Sequence, residues 1–271
     1  MPEEVTAESR DDLLRTMFDQ VSGETYLTNP SPELLESLST LDAGELPETL
    51  HVVATDESLK EVRSNFLPSS YLAEHVEAGI VSLYVADPTV RTAGVVSDDA
   101  LFGVVDETGG PFAALPASDS EIVQTFADTC SDSFGVRDEF SLRTPALSRA
   151  LAGIEEQVGE EVRSDFETVL GHMDVVGDDT VTEVELLLLL TARNEGLLYD
   201  ISKAGEDVGI SSKATFSRSK TNLEDLGFIG TDKVPIDVGR PRLRLLLEDD
   251  ELATVDIEEF GAVAQERLAD R

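Results

Sequence analysis

Apolar positions recur at two different periods along this chain of 271 residues, and the change of period marks its organisation. TLHVVAT (49–55) and GIVSLYVAD (79–87) are short β-branched runs bounded by turn residues and predict strands, with TYLTN (25–29) a weaker third. SPELLESLSTL (31–41) and DESLKEVRSNFL (56–67) carry helical spacing behind a Ser or Asp suited to an N-cap. AGVVSDDALFGVVDETGGPFAAL (93–115) predicts two or three more strands joined by polar turns. Alternating strands and helices point to an α/β domain whose sheet contains parallel pairs.

From Thr144 to Met173 the period lengthens. Leu147, Leu151, Ile154, Val158, Val162, Phe166 and Val169 recur at three- and four-residue steps, which fits one long helix or two broken near Gly159. This region links the domains, forms a dimer seam, opens the second domain or covers the sheet. DVVGDD (174–179) reads as a turn. TEVELLLLLTARN (182–194) is apolar nearly all round, as a central buried helix should be. LLYDISKAGEDV (197–208) is a second helix stopped by Gly209, and a third runs from Ser212 to Leu226 with Gly227 after its end. FIGTDKVPIDVGRPRLRLLL (228–247) then reads as strand, loop, strand, with Pro235, Gly239 and Pro241 in the loop or at an edge. Three helices followed by a hairpin is the order of a winged helix-turn-helix. The chain thus divides into an α/β sensor or effector-like domain (1–143), a helical linker or dimerisation region (144–179) and a winged helix-turn-helix with a C-terminal helix (180–271). That last helix, DIEEFGAVAQERLA (256–269), packs on its own domain or serves a dimer through Ile257, Phe260, Ala264 and Leu268.

Charge sharpens this picture. The formal net charge is −36, from 56 acidic and 20 basic residues, and only five of the basic ones are Lys. Hydrophobic residues make up 41%, enough for a buried core, so the acid belongs to a folded surface. Evenly spread acid with little Lys is the composition expected of a halophile, whose salt screens such self-repulsion. The single Cys130 excludes an intramolecular disulfide and argues against a Cys-based metal site. The N-terminus MPEEVTAESRDD lacks a basic, apolar leader, and the longest apolar run, Leu186–Leu190, falls far short of a membrane span. A cytoplasmic protein without a membrane role is expected.

Against this background residues 211–244 stand apart. They hold seven basic and four acidic side chains, a net of +3, while the remaining residues hold thirteen basic and 52 acidic, a net of −39. On a helical wheel Phe216, Ser219, Leu223 and Leu226 fall within about 80° of one another and should face the core. Ala214, Ser217, Arg218, Thr221 and Asp225 lie opposite, flanked by Lys213 and Lys220. A recognition helix enters the major groove of double-stranded DNA by its N-terminal part. There Arg218 would fork onto a guanine, Ala214 or Thr221 would meet a thymine methyl, and Ser212 and Ser217 would bind phosphate oxygens. Lys233, Arg240, Arg242 and Arg244 in the wing would follow the backbone. A protein adaptor is the alternative, but it calls for an apolar exposed face on this helix.

LLYDISKAGEDVGISSKATFSRSKTNLEDLGFIGTDKVPIDVGRPRLRLLL resembles the C-terminal winged helix of haloarchaeal transcriptional regulators of the TbsP type. SDDALFGVVDET and EEVRSDFETVL extend the likeness more loosely over the chain. The resemblance implies a promoter-binding regulator of central carbon metabolism, acting beside the sugar-responsive regulator TrmB. It also implies an effector-type α/β half, some relatives of which are akin to the phospholipase D fold. The domain order differs from TrmB, whose winged helix comes first, so TrmB's ligand and residues are not carried over.

Phospholipase D chemistry needs a His followed two residues later by Lys. His51 (HVV), His75 (HVE) and His172 (HMD) lack that context, and no G-x-S-x-G, P-loop or G-x-G-x-x-G is present. No catalytic residue, metal or cofactor is expected. An anionic metabolite such as a sugar phosphate is the expected ligand, if there is one. Thr55, Ser58, Lys60 and Arg91 lie just beyond strand ends, where open α/β sheets bind ligands. A homodimer is expected on DNA.

Overall fold

The structure is a computed structural model that describes residues 2–86, 93–106, 112–117, 119–134, 138–173, 181–236 and 241–269. Contacts divide the chain into two units, Met1–Arg143 and Thr144–Arg271.

The first unit opens with β1 (Val5–Ala7) and α1 (Arg10–Phe18), elements that the sequence reading missed. β1 is three residues between acids, too short to show a period. α1 announces itself only by Ser9, whose hydroxyl accepts the Asp12 N–H at 3.1 Å, and by the buried Leu13, Leu14, Met17 and Phe18. Then come β2 (Glu24–Thr28), α2 (Pro32–Ser39), β3 (Thr49–Ala54), α3 (Asp56–Ser64), α4 (Phe66–Glu77) and β4 (Val81–Val85). Ser31 caps α2 as expected, accepting the Leu34 N–H at 3.2 Å. Thr55, one residue earlier than the Asp expected, caps α3 through the Ser58 N–H at 3.1 Å. The predicted helix over 56–67 is two helices: Asn65 is extended, and α4 restarts at Phe66 with Pro68 in its first turn, where a missing N–H costs nothing.

β5 (Gly94–Val96), β6 (Leu101–Val105) and β7 (Phe112–Pro116) realise all three strands allowed for 93–115, and α5 (Ser120–Phe134) follows. The strands form one seven-stranded sheet in the order β1-β7-β6-β5-β2-β3-β4. β2–β3 and β3–β4 are parallel and the other pairs antiparallel, so the α/β sheet with parallel pairs is present in mixed form. Register lines up Leu83, Val52, Leu27, Val95 and Phe102 across five adjacent strands, and all five are buried. The opposite face carries Tyr26 and Val96, covered by Ala127 and Cys130 of α5. On that same face Leu101, Gly103 and Val105 of β6 lie beside Ala113 and Leu115 of β7. There Val105 and Leu115 stay exposed, as do Ile122 and Phe126 of α5.

The second unit begins with α6 (Leu147–Gln157) and α7 (Glu160–His172), separated at Gly159 with φ 131°. The two-helix alternative is therefore the one realised, and both helices belong to this unit. α8 (Glu183–Arg193) is its hub: Leu186–Leu190 are all buried, and α7, α9 (Leu198–Val208), α10 (Lys213–Asp225) and β9 (Arg242–Leu247) pack around it. Thr182 and Glu185 start α8 as a capping box, each side chain accepting the other's backbone N–H. β8 (Ile229–Val234) pairs antiparallel with β9 to make the wing. At the far end of α8, the Arg193 guanidinium donates to the Leu252 and Val255 carbonyls at 3.0 Å each and stacks over Phe260. It thereby caps α11 (Asp250–Thr254) and holds α12 (Ile257–Ala269). Phe260 and Ala264 are buried and α12 lies on α7, so the apolar face of 256–269 is occupied within the chain. The stripe of 144–173 is likewise buried on α9 and between α6 and α7. Ile257 and Leu268 of the first stripe and Leu147 and Val158 of the second are half-buried. Among the described residues no helix is long and apolar enough to cross a membrane.

His75 on α4 is buried, bonded to the backbone of Leu41 and Ser39 at the end of α2. Burial, the largest influence, lowers its pKa; those two bonds and the Glu74 and Asp42 carboxylates oppose this. The fold therefore holds neutral imidazole, and below about pH 6.5 the unfolded chain binds the extra proton. The contribution of His75 is full above that pH and lost as pH falls. Urea unfolding followed by circular dichroism should show a smaller loss of stability from pH 7.5 to 5.5, both pH values approximate, in His75→Gln than in the unaltered chain. Parallel losses would remove His75 from that role.

Candidate nucleic-acid interface

The helix-turn-helix is made by α9, a tight reversal and α10. Gly209, with φ 94°, ends α9 in the left-handed region that favours glycine. The Gly205 carbonyl accepts the N–H groups of Gly209, Ile210 and Ser211 at 3.2, 2.8 and 3.3 Å, so the reversal leaves no donor stranded. A Cβ at Gly205 would stand 2.4 Å from the Phe216 ring. Only glycine lets α9 and α10 cross so closely. Ser212 then caps α10 by accepting the Thr215 N–H at 3.2 Å. Phe216 and Leu223 are buried while Ser219 and Leu226 are half-buried, the face expected for the core.

The opposite face is open: Ser212, Lys213, Ala214, Ser217, Arg218, Thr221 and Asp225 are all exposed. The Thr221 hydroxyl donates back to the Ser217 carbonyl at 3.0 Å. The wing stands beside this helix on a fixed base, because Leu197 bridges to Arg244 and the Leu245 N–H donates to the Gly196 carbonyl at 2.9 Å.

The cations are less free than the sequence implied. Lys213 is ion-paired to Glu206 of α9, which raises the lysine's pKa and lowers the carboxylate's, each chiefly through their hydrogen bond. Lys220 sits 2.6 Å from Glu224, its side chain 13% exposed, while the other Glu224 oxygen accepts the Thr231 hydroxyl at 2.9 Å. Glu224 thus braces α10 to β8 and holds Lys220, which leaves Lys220 poorly placed for a phosphate. Arg242 donates to Asp200 at 2.9 Å and lies 4.3 Å over the ring of the exposed Tyr199. Arg244 reaches Glu195 at 3.9 Å. Among the described residues Arg218 and the exposed Lys233 have no acid within ion-pair distance. Arg240 lies outside the described residues. Tyr199 and the acid partners were missed from sequence; only the four-residue step from Lys220 to Glu224 signalled a pair.

In the first unit a cleft of about 270 Å³ lies beyond the end of β2, lined by Asn29, Ser31, Leu34, Ser58, Val104 and Asp106 among others. Ser58 lines it. Thr55 does not, being spent on capping α3 and on the Ser58 hydroxyl at 2.8 Å. Lys60 is paired with Asp56, and Arg91 lies outside the described residues. Asp106 is half-buried in the cleft wall, held by Arg10 at 2.9 and 3.0 Å and by the Ser31 hydroxyl at 3.2 Å.

Residues 2–145 match the N-terminal domain of "Transcriptional regulator TbsP-like" proteins, and residues 146–265 match their C-terminal HTH domain. No curated protein matches the chain. Among solved structures, that of TrmBL2, described as an archaeal chromatin protein with a novel mode of DNA binding, shares 11% identity over 51% of this chain and 55% of its own. Its TM-score to this chain is 0.37. The family assignment rests on the two matched domains, which together span nearly the whole chain: the protein belongs to the TbsP-like transcriptional regulators.

Proposed function

We propose that this DNA-binding regulator reads its operator through the exposed face of α10, as a homodimer in the cytoplasm of a halophilic archaeon. Its targets are promoters of central carbon metabolism, and no catalytic step is part of its role. The observation that carries this is the open Arg218 amid small and hydroxylated side chains, on a chain that is otherwise densely acidic. A guanidinium free of acids is able to fork onto guanine O6 and N7, with Ala214 and Thr221 beside it for a thymine methyl. Ser212, Ser217 and the helix start suit phosphate oxygens, and Lys233 and Arg244 of the wing extend the contact.

The dimer surface proposed is the exposed apolar set of the first unit, Val105, Leu115, Ile122 and Phe126. Copies that each carry −36 would meet best on apolar surface, and these four side chains supply some. The input proposed is a sugar phosphate in the cleft beyond β2. Its hydroxyls would meet Asn29, Ser31 and Asp106, while its phosphate would lie toward Ser58 at the start of α3. Asp106 would repel a phosphate placed directly against it, despite its pairing with Arg10.

DNA selected from a random pool should bind saturably in molar KCl by fluorescence anisotropy, and Arg218→Ala should weaken it by about ten- to a hundred-fold. Lys220→Gln should change affinity by no more than about twofold, since its pair faces the wing. No enrichment at any salt would leave the helix as a protein-docking surface. Light scattering in molar KCl should report a dimer that Leu115→Asp converts to monomer; an unchanged mass would place the seam elsewhere. Titration calorimetry with sugar phosphates should give heat that Ser58→Ala reduces, and none at millimolar ligand would dismiss the cleft.

A further inference from the structure

Three cations of the helix-turn-helix and wing are each held by an acid from a neighbouring element. Lys213 of α10 is held by Glu206 of α9. Arg242 of β9 is held by Asp200 of α9, and Arg244 of β9 by Glu195 in the turn between α8 and α9. The side chains of Lys213 and Glu206 are both 44% exposed, so this pair is in water and within reach of a competing anion. Exposed pairs of this kind are weak, and a phosphate is able to displace the carboxylate.

We infer that DNA binding here is an exchange, in which phosphates replace Glu195, Asp200 and Glu206 on their cations and the three released carboxylates take up monovalent cations from solution. This rests on the DNA-binding role of α10 and the wing proposed above. Ordinary binding releases condensed cations from DNA, so affinity falls as salt rises. A carboxylate freed beside a phosphate backbone faces strong repulsion and must be neutralised. Each one that recruits a cation offsets one that the DNA gives up. If Lys213, Lys233, Arg242 and Arg244 each meet one phosphate while Arg218 reads a base, release alone sets a slope of log K against log salt near about −3.6 per chain, and uptake of about three cations reduces it to roughly −0.6.

The same pairs discriminate between DNA sequences. Free of DNA, the unpaired cations among the described residues of this surface are Arg218 and Lys233. Non-specific DNA offers no base contact to offset the exchange, so it is held weakly. A site that satisfies Arg218 provides that contact. Glu195, Asp200 and Glu206 are thus specificity-determining residues that act by withholding charge.

The test is anisotropy over a range of KCl with selected and scrambled DNA. It uses the unaltered chain, the exposed-site variants Glu206→Gln and Glu195→Gln, and both combined with Asp200→Asn. Each substitution should steepen the slope by about one and tighten scrambled DNA at low salt more than selected DNA. Matching unfolding midpoints keep folding out of the comparison, and Glu206→Gln alone suffices if the combined variant unfolds. Equal slopes in the chain and its variants, or a slope of about −3.6 in the unaltered chain, would overturn the exchange while leaving DNA binding intact. No saturable binding by the unaltered chain would instead remove the DNA reading and the exchange together.

Discussion

The second unit depends on the closeness of Gly205 to Phe216. α9 and α10 cross at a distance that no side chain on α9 would permit, and the Gly205 carbonyl gathers the three N–H groups of the reversal. With that crossing fixed, Phe216 and Leu223 drop into the leucine-lined core around α8. The opposite side of α10 is then presented at one angle. The wing is registered to the same frame through Leu197 and Gly196 at the foot of α9. Overpacking a core usually costs about 1–3 kcal/mol. Here it would also rotate the face that carries Arg218, because helix and ring have no room to slide.

Local signals made much of this legible in the sequence. Gly209, Ser212 and Gly227 punctuate the helix-turn-helix where the chain has no other conformational choice, and the all-apolar run of α8 identifies its hub. The apolar run of β3 is read because its residues are buried on both faces, and β4 is read from its β-branched and apolar residues. β1 and α1 were missed for want of length and contrast, since two buried leucines among acids make a faint stripe. α4 was hidden because Asn65 breaks the helix with no Gly to mark the stop, and the signal that was present, Pro68 three residues on, falls inside the new helix. The site was half legible. Which side of α10 faces outward follows from period alone, but its electrostatics do not. Asp200 and Arg242 are 42 residues apart, and only the folded wing brings them to 2.9 Å.

Composition and local structure therefore tell different parts of the story. A net of +3 over residues 211–244 suggests a bare basic patch. Among the described residues of the folded unit most of that positive charge is already matched, and the two cations there without an acid partner sit on the helix face and in the wing. An acidic protein need not suppress acid around a nucleic-acid surface. It needs only to place that acid where a better anion is able to take over its partner.

Arg193 has a practical consequence for anyone who would cut the protein into parts. Its guanidinium closes the last carbonyls of α11 and rests on Phe260, while Gly261 of α12 fits against Val169 and Met173. At the other end, Gly153 of α6 is seated on Val208 of α9. A fragment trimmed to the three helices and the hairpin would bare the outer side of α8 and α9 and leave a guanidinium without acceptors. The smallest autonomous DNA-binding module is then not the motif that names the fold but the whole span from α6 to α12, and a reporter fusion or crystallisation fragment should begin before Leu147 and end after Ala269.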